Sequence, residues 1–263
     1  MRGVLRWSLA MAVLVACGPA VTPMIKGGEQ RRLAIVDGVP VIDVILWTPG
    51  SGEPARRSFI VDSGATITSV RQATASALGI VARAPMVIND TVAGRRAVIP
   101  RLLFGAQTHT DLPIAIVDMP ARPGGYDGVL GLDVLAHHGV VLDFTRGTLA
   151  VFGPGELAPQ VDVGRMTRVP IERTGPGFLV ISVVVGGHPM PAIIDLGSPY
   201  SLITGAGQGM LGPPGRGVRA GLAIADADLG PQPFIVTDDP VFRRAGLAER
   251  AAVLLGVNVF EER

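Results

Sequence analysis

Two short stretches of this chain place a carboxylate where a carboxylate is expensive. Phe59-Ile-Val-Asp-Ser-Gly-Ala-Thr-Ile-Thr-Ser-Val70 runs three apolar β-formers straight into Asp62, turns at Ser63-Gly64, and resumes as a β-rich run. Met190-Pro-Ala-Ile-Ile-Asp-Leu-Gly-Ser-Pro-Tyr-Ser-Leu-Ile203 repeats the design around Asp195. Apolar residues on both sides imply buried turns, and a bare buried carboxylate is costly. Each Asp must be neutral, hydrogen-bonded or matched with a partner, so its proton affinity is set by its surroundings. Asp-Ser-Gly alone is an ordinary turn tripeptide. The second copy is what gives it meaning, because it supplies Asp195 as a candidate partner for Asp62.

The elements around the two carboxylates repeat as well. Tyr126-Asp-Gly-Val-Leu-Gly-Leu-Asp-Val-Leu135 is answered by Ala251-Ala-Val-Leu-Leu-Gly-Val-Asn-Val-Phe260. Asp62 lies 69 residues before Gly131, and Asp195 lies 61 before Gly256. Blocks of matched order and near-matched spacing indicate a duplicated lobe. Between them the chain reads as strands: Val39–Trp47, Ser58–Val61, a hairpin over Val87–Ile99 turning at Val92-Ala-Gly-Arg95, Leu112–Val117, and a hairpin of Val140–Phe144 and Thr148–Phe152. Arg71–Leu78 is a short helix candidate stopped by Gly79. In the second half, Phe178–Val185 turns through Gly186-Gly-His-Pro189 into Ala192–Ile194 and delivers Asp195.

The composition agrees with an all-β chain. Its 263 residues include 35 Gly and 22 Pro, which suits short strands joined by turns. That length accommodates one large domain or two lobes. A net charge of +1 gives no electrostatic case for nucleic acid. Gly153 to Arg165 is Pro- and Gly-rich without an apolar period. It sets the lobe boundary, giving lobes at 33–153 and 167–263 with a linker at 154–166.

The N-terminus reads as a leader. Arg2 and Arg6 precede an apolar run, Trp7 to Ala16, too short for a transmembrane helix. It ends in Leu14-Val15-Ala16-Cys17, with Cys17 the only cysteine, and so resembles a bacterial lipobox. Residues 1–17 are expected to be a lipoprotein signal peptide, Cys17 the lipidated residue and 18–32 a tether. The protein would be exported, held by lipid at a membrane face, and facing the periplasm or cell surface. An internal disulfide is excluded by the single Cys.

Asp-Ser/Thr-Gly on a buried turn, followed by a hairpin and a hydrophobic-hydrophobic-Gly segment, resembles the aspartic proteases of the pepsin and retropepsin type. The resemblance spans roughly Leu33 to Phe260. It implies an all-β, bilobal fold of two retropepsin-like lobes with a cleft between them, and a flap from the hairpin near Asn89 to Val98. It also implies Asp62 and Asp195 as the catalytic pair, with Ser63, Gly64, Ala65, Gly197 and Ser198 in the supporting loops and Gly131 and Gly256 beneath them. Two carboxylates about 3 Å apart share one proton. The ionised member would take a proton from water while its protonated partner polarises the scissile carbonyl. No cofactor and no metal are required. The implied partner is a peptide or protein substrate, and the implied state is a monomer. A non-catalytic peptide- or protein-binding relative is the alternative.

Departures from the family pattern set further expectations. A hydroxyl after each Asp normally bonds to the opposite loop; Ser63 supplies one and Leu196 does not. Ser198 is expected to donate to Asp195 and favour its ionised form, while Ala65 offers Asp62 nothing comparable. Lobe 1 continues past Gly131 into a closing hairpin that lobe 2 lacks. His109 and His188 are read as loop residues and His137-His138 as a helix end, with no ligand spacing among them. Gly205-Ala-Gly-Gln-Gly-Met210 is read as a loop, not a phosphate-binding fingerprint.

Overall fold

The computed structural model describes residues 13–15, 29–48, 53–88, 90, 92–119, 125–157, 161, 166–174 and 177–261. Cys17 lies outside them. The architecture is all-β, with two similar six-stranded barrels.

In lobe 1 the strands are β3 (Ala34–Val36), β4 (Val39–Trp47), β5 (Ala55–Val61), β6 (Ser69–Arg71), β7 (Pro85–Ile88), β8 (Val92–Phe104), β9 (Gln107–Val117) and β10 (Gly128–Leu130). They form one sheet in the order β3-β4-β5-β10-β6-β9-β8-β7, and β4 also pairs with β8. That last pairing, Ile45 to Trp47 against Arg101 to Leu103, closes the barrel. Lobe 2 uses β13 (Glu172–Thr174), β14 (Phe178–Val185), β15 (His188–Ile194), β16 (Leu202–Ile203), β17 (Gly217–Ile224), β18 (Ala227–Val236) and β19 (Val253–Leu255). Their order is β13-β14-β15-β19-β16-β18-β17, closed by β14 on β17. The two orders superimpose strand for strand, apart from the extra β7 of lobe 1.

The arrangement that positions the site is the same in both lobes. In lobe 1, β10 lies between β5, which it joins in parallel, and β6, which it joins antiparallel. In lobe 2, β19 lies likewise between β15 and β16. The carboxylate leaves the end of β5 or β15, so its loop is held over a central strand with both neighbours already paired. Side chains facing into the barrels are aliphatic and aromatic, among them Val44, Leu46, Ile99, Leu102 and Phe104 in lobe 1 and Val185, Ala192, Leu255 and Val257 in lobe 2, all inaccessible to solvent. Burying each such side chain contributes roughly 1.5–3 kcal/mol before conformational entropy is counted.

Several expectations change. Val92 to Arg95 is not the turn but strand, paired with Pro85 to Ile88. Ala93 and Gly94 are compatible with an extended edge, and the ladder overrides their turn propensity. Gly205–Leu211 is helix α3, not a loop. Thr204 caps it, accepting from Gly207 N at 3.1 Å, and this cap offsets the weak helix propensity of three glycines. His109 lies in β9 and His188 in β15. Helices α1 (Gln72–Ala77) and α2 (Leu132–Leu135) follow β6 and β10, and Gly79 has φ +65° just past α1.

The hairpin of β11 (Gly139–Asp143) and β12 (Thr148–Phe152) does not close barrel 1. It forms a separate four-stranded sheet with β1 (Val13–Val15) and β2 (Glu29–Arg32). The last four residues of the segment read as a tether are therefore strand, and so are Val13–Val15 in the segment read as a leader. The same topology shows why lobe 2 closes its barrel without a counterpart of this hairpin. Val161, in the segment read as linker, packs on Val141, Ala150 and Phe152.

Candidate active site

The Asp62 and Asp195 loops meet at the junction of the lobes. Asp62 N donates to Leu130 O and Asp195 N to Leu255 O, each at 3.0 Å, so each loop is pinned to the central strand of its own barrel. The carboxyls come within hydrogen-bonding reach of each other. The glycines explain how. A Cβ on Gly64 would sit 2.3 Å from Asp195 Cγ, and one on Gly197 would sit 2.3 Å from Asp62 Cγ. Each carboxyl thus rests on the opposite loop's glycine, and no side chain larger than hydrogen fits there.

Of the two residues that follow the aspartates, Ser63 carries a side-chain clamp across the lobes and Leu196 does not. Its Oγ donates to Ile194 O at 2.8 Å and accepts from Leu196 N at 3.0 Å, and it is wholly buried. Leu196, in the matching position, is buried among apolar side chains. A buried hydroxyl that satisfies both a carbonyl and an N–H is worth on the order of 1–3 kcal/mol when removal strands those partners.

The pair is asymmetric, in the opposite sense to that expected. Ser198 Oγ donates to Tyr200 O at 2.7 Å and does not bond the Asp195 carboxyl. Asp62 Oδ1 instead accepts from Gly64 N at 2.7 Å and Ala65 N at 3.0 Å, and Gly197 N adds to its stabilisation. Asp195 Oδ1 accepts from Gly197 N at 2.9 Å. The side chain of Ala65 gives no sign of this role, because the donor is its backbone N–H. Burial raises the Asp62 carboxyl above its usual range, while these N–H groups and the hydrogen bond with Asp195 pull it back. Asp195 is raised well above that range, by burial first, then by the Asp62 charge and the shared hydrogen bond, with Asp239 adding to the rise. The two carboxyls share one proton, and the backbone N–H donors gathered on Asp62 favour its charged form more than the single donor on Asp195 does. Both groups lie deep between the lobes yet keep an edge open to a cavity of about 310 Å³, lined also by Pro199, Leu202, Val241 and Leu254.

Gly131 and Gly256 pack against the backbone of the two Asp loops. A Cβ on Gly131 would meet Ile67 C at 2.7 Å, and one on Gly256 would meet Tyr200 O at 2.4 Å. The residues holding these crossings were not foreseen. Thr68 Oγ1 accepts from Gly131 N and donates to Asp133 Oδ1 at 2.7 Å, and Thr68 N donates to Asp133 Oδ2. In lobe 2, Ser201 Oγ accepts from Gly256 N and donates to Asn258 Oδ1 at 2.9 Å. The signal was present: Thr68 and Ser201 each lie six residues after their Asp, and Asp133 and Asn258 two after their Gly.

Among the described residues no group of three His, Cys, Asp or Glu converges on a metal position. His109 Nε2 and His138 Nε2 do meet at 2.8 Å, below α2. Burial first, then His109 and His137, lower His138 to about 4. A histidine held neutral in this way stabilises the fold above its ordinary value of 6.5, and that stability is lost as pH falls from there towards 4. The expected result is that His138→Phe, whose ring also suits the edge contact with Phe104, loses less stability than the parent between pH 6.5 and 4. The difference should approach roughly 3 kcal/mol at most. Urea titrations of both proteins across that window check it, and parallel pH curves would refute the assignment.

Two closed barrels, each delivering one aspartate to a shared, glycine-lined junction, define a bilobal retropepsin-like fold. Residues 50–134 match the family model described as Aspartyl protease, a span that holds β5, the Asp62 loop and the Gly131 crossing. Lobe 2 lies outside that match and is joined to it by the repeated topology. A search of curated proteins returned no match.

Proposed function

We propose that the protein is an aspartic endopeptidase in which Asp62 and Asp195 hydrolyse peptide bonds by activating water between them. The observation that carries this reading is the pairing of the two carboxyls, each resting on the opposite loop's glycine, with more backbone N–H donors on Asp62 than on Asp195. Asp62, ionised and fixed by backbone N–H groups, takes the proton of a water lying between the carboxyls. Asp195, protonated, donates to the carbonyl oxygen of the scissile bond, and the resulting tetrahedral centre collapses with proton transfer to the leaving nitrogen. Neither a covalent intermediate nor a metal enters this scheme. The bonds from Ser63 keep the loops in register while charge moves between them.

A peptide library incubated with the purified protein from pH 3 to 7 tests the reading. Cleavage abolished by pepstatin-type transition-state mimics supports it, and an uncut library would leave the peptide-binding alternative in its place.

We also propose that the chain is a lipoprotein exported to the periplasm or cell surface, on the strength of the basic n-region, short apolar run and Leu14-Val15-Ala16-Cys17. Metabolic labelling with an alkyne fatty acid should mark the parent chain and not Cys17→Ser. Equal labelling of the two would overturn the proposal.

A further inference from the structure

The cavity at the dyad holds a third carboxylate that the hydrolysis does not use. Beyond the two Asp loops its walls come from lobe 2, from Leu202, Leu254 and helix α4 (Pro240–Arg244) with the residue before it, Asp239. Asp239 Oδ1 accepts from Val241 N at 2.9 Å and caps the helix. A cap needs one carboxylate oxygen, so the second is not consumed by it. That bond, with Pro240 at the start of the helix, fixes the carboxylate on the wall. Its charge reaches the dyad, where it adds to the rise of Asp195 that burial and Asp62 produce. Val241 and Leu254 are buried, and Leu202 packs against the same apolar cluster, which also holds Phe178 and Phe242. Arg244, also on the wall, is occupied by contacts of its own, among them the Phe178 ring, whose centroid lies 5.1 Å from its guanidinium carbon. With one proton on the pair, the three carboxyls lining the cavity carry two negative charges against the one positive charge of Arg244. The balance favours an incoming cation.

We propose that this cavity is a specificity subsite for a lysine side chain next to the scissile bond, with Asp239 as its determinant. This rests on the reading of the cleft as a peptide site. A lysine lays its aliphatic stem along Leu202, Val241 and Leu254 and brings a compact ammonium to a carboxylate that already has one oxygen bound. One remaining oxygen suits a point charge better than a guanidinium, whose planar fork is matched by two. The negative charge shared by the dyad adds to the attraction. A glutamate meets repulsion from both. A norleucine covers the same apolar wall and leaves the carboxylate without an ion.

The test uses fluorophore-labelled, amidated octapeptides whose central peptide bond is replaced by an uncharged hydroxyethylene and cannot be hydrolysed. They carry Lys, Arg, norleucine or Glu on either side of that bond, and binding is followed by fluorescence anisotropy at pH 6. The expected result is that the Lys peptide of one series binds about fivefold or more tightly than its norleucine twin, with Arg between them and Glu weakest. Asp239→Asn and Asp239→Ser both keep a cap for α4, and in each the Lys and norleucine peptides should bind alike. Either variant suffices if the other fails to fold. Equal affinity of the parent protein for Lys, norleucine and Glu overturns the proposal, as does no binding at all. A Lys preference undiminished in these variants also overturns it and assigns the attraction to the dyad. The ordinary peptide-bond counterparts are assayed alongside. Lys-selective binding without cleavage would sink the catalytic reading and leave the subsite standing, and cleavage without a preference for Lys would do the reverse.

Discussion

Asp62→Asn and Asp195→Asn are each expected to lower kcat/KM for peptide hydrolysis by about a thousandfold or more while leaving the protein folded. General acid–base groups contribute about 10²–10⁴ each. Here one proton is shared by both, so losing either member disables the unit and the double variant should be little worse than either single one. The variants differ in how they fail. Asn at 62 removes the ionised base but still offers an oxygen to Gly64 N and Ala65 N, the two donors now bound by Asp62. Asn at 195 resembles the protonated carboxyl it replaces yet has no proton to give.

Stability carries the complementary sign. Both carboxyls are raised above the ordinary value of 3.8, Asp195 the more strongly. A group raised on folding contributes stability that is complete below its unfolded value and lost as pH climbs through its folded one. The parent protein should therefore weaken as pH rises from about 4 through the raised value of Asp195, and Asp195→Asn should flatten that slope. Activity should fall over the same rise, as the pair surrenders its proton, and again in strong acid when both carboxyls are protonated. Initial rates and thermal melts from pH 3 to 8 check both halves. Undiminished cleavage by either Asn variant would refute the dyad.

The parts legible in the sequence were those written in local pattern. Three apolar β-formers before an Asp, a glycine two residues later and a repeat of both were enough to place the lobes and the two aspartates in matching frames. What escaped was set by backbone and by contacts distant in sequence. Ser198 sits close enough in sequence to serve Asp195, but its hydroxyl turns to Tyr200 O. Ala65 has nothing polar beyond the backbone, and it is the backbone N–H that holds Asp62. The β7–β8 turn was misplaced because Ala93-Gly94 looks like a turn, whereas pairing with Met86 and Val87 makes it strand. The glycines of Gly205 to Met210 suggest a loop, but a cap from Thr204, itself bonded to Arg250 O, makes the segment helix. Thr68–Asp133 and Ser201–Asn258 could have been found by aligning the repeats one residue at a time. The exchange of Asp133 for Asn258 keeps an acceptor for the hydroxyl in both lobes and removes a charge from one.

Gly64→Ala should be nearly as damaging as loss of an aspartate, although no functional group is removed. The added methyl carbon would lie 2.3 Å from Asp195 Cγ and 2.4 Å from its Oδ1, far inside van der Waals contact. The far end of a flexible side chain could swing aside, but Asp195 is a short side chain bonded to Gly197 N and Asp62, and its backbone is tied to Leu255 O. The lobes must therefore part or the carboxyl must leave its partner. Either way the shared proton loses its second acceptor, and a displacement on the order of 1 Å costs about 10²-fold in rate. Overpacking of this kind also costs roughly 1–3 kcal/mol of stability. Gly197→Ala should act alike through Asp62, with a methyl carbon 2.3 Å from its Cγ, and Gly205→Ala, whose added Cβ meets nothing within 4 Å, is the control. If the carboxyls are separated, Gly64→Ala should also lose the acid-side stabilisation attributed to the pair, because an isolated Asp195 facing water returns towards its ordinary value. Rates and pH-dependent melts of the three variants distinguish this from simple unfolding. A Gly64→Ala protein that cleaves at the parent rate would show that the aspartates do not rest on each other's glycines in solution.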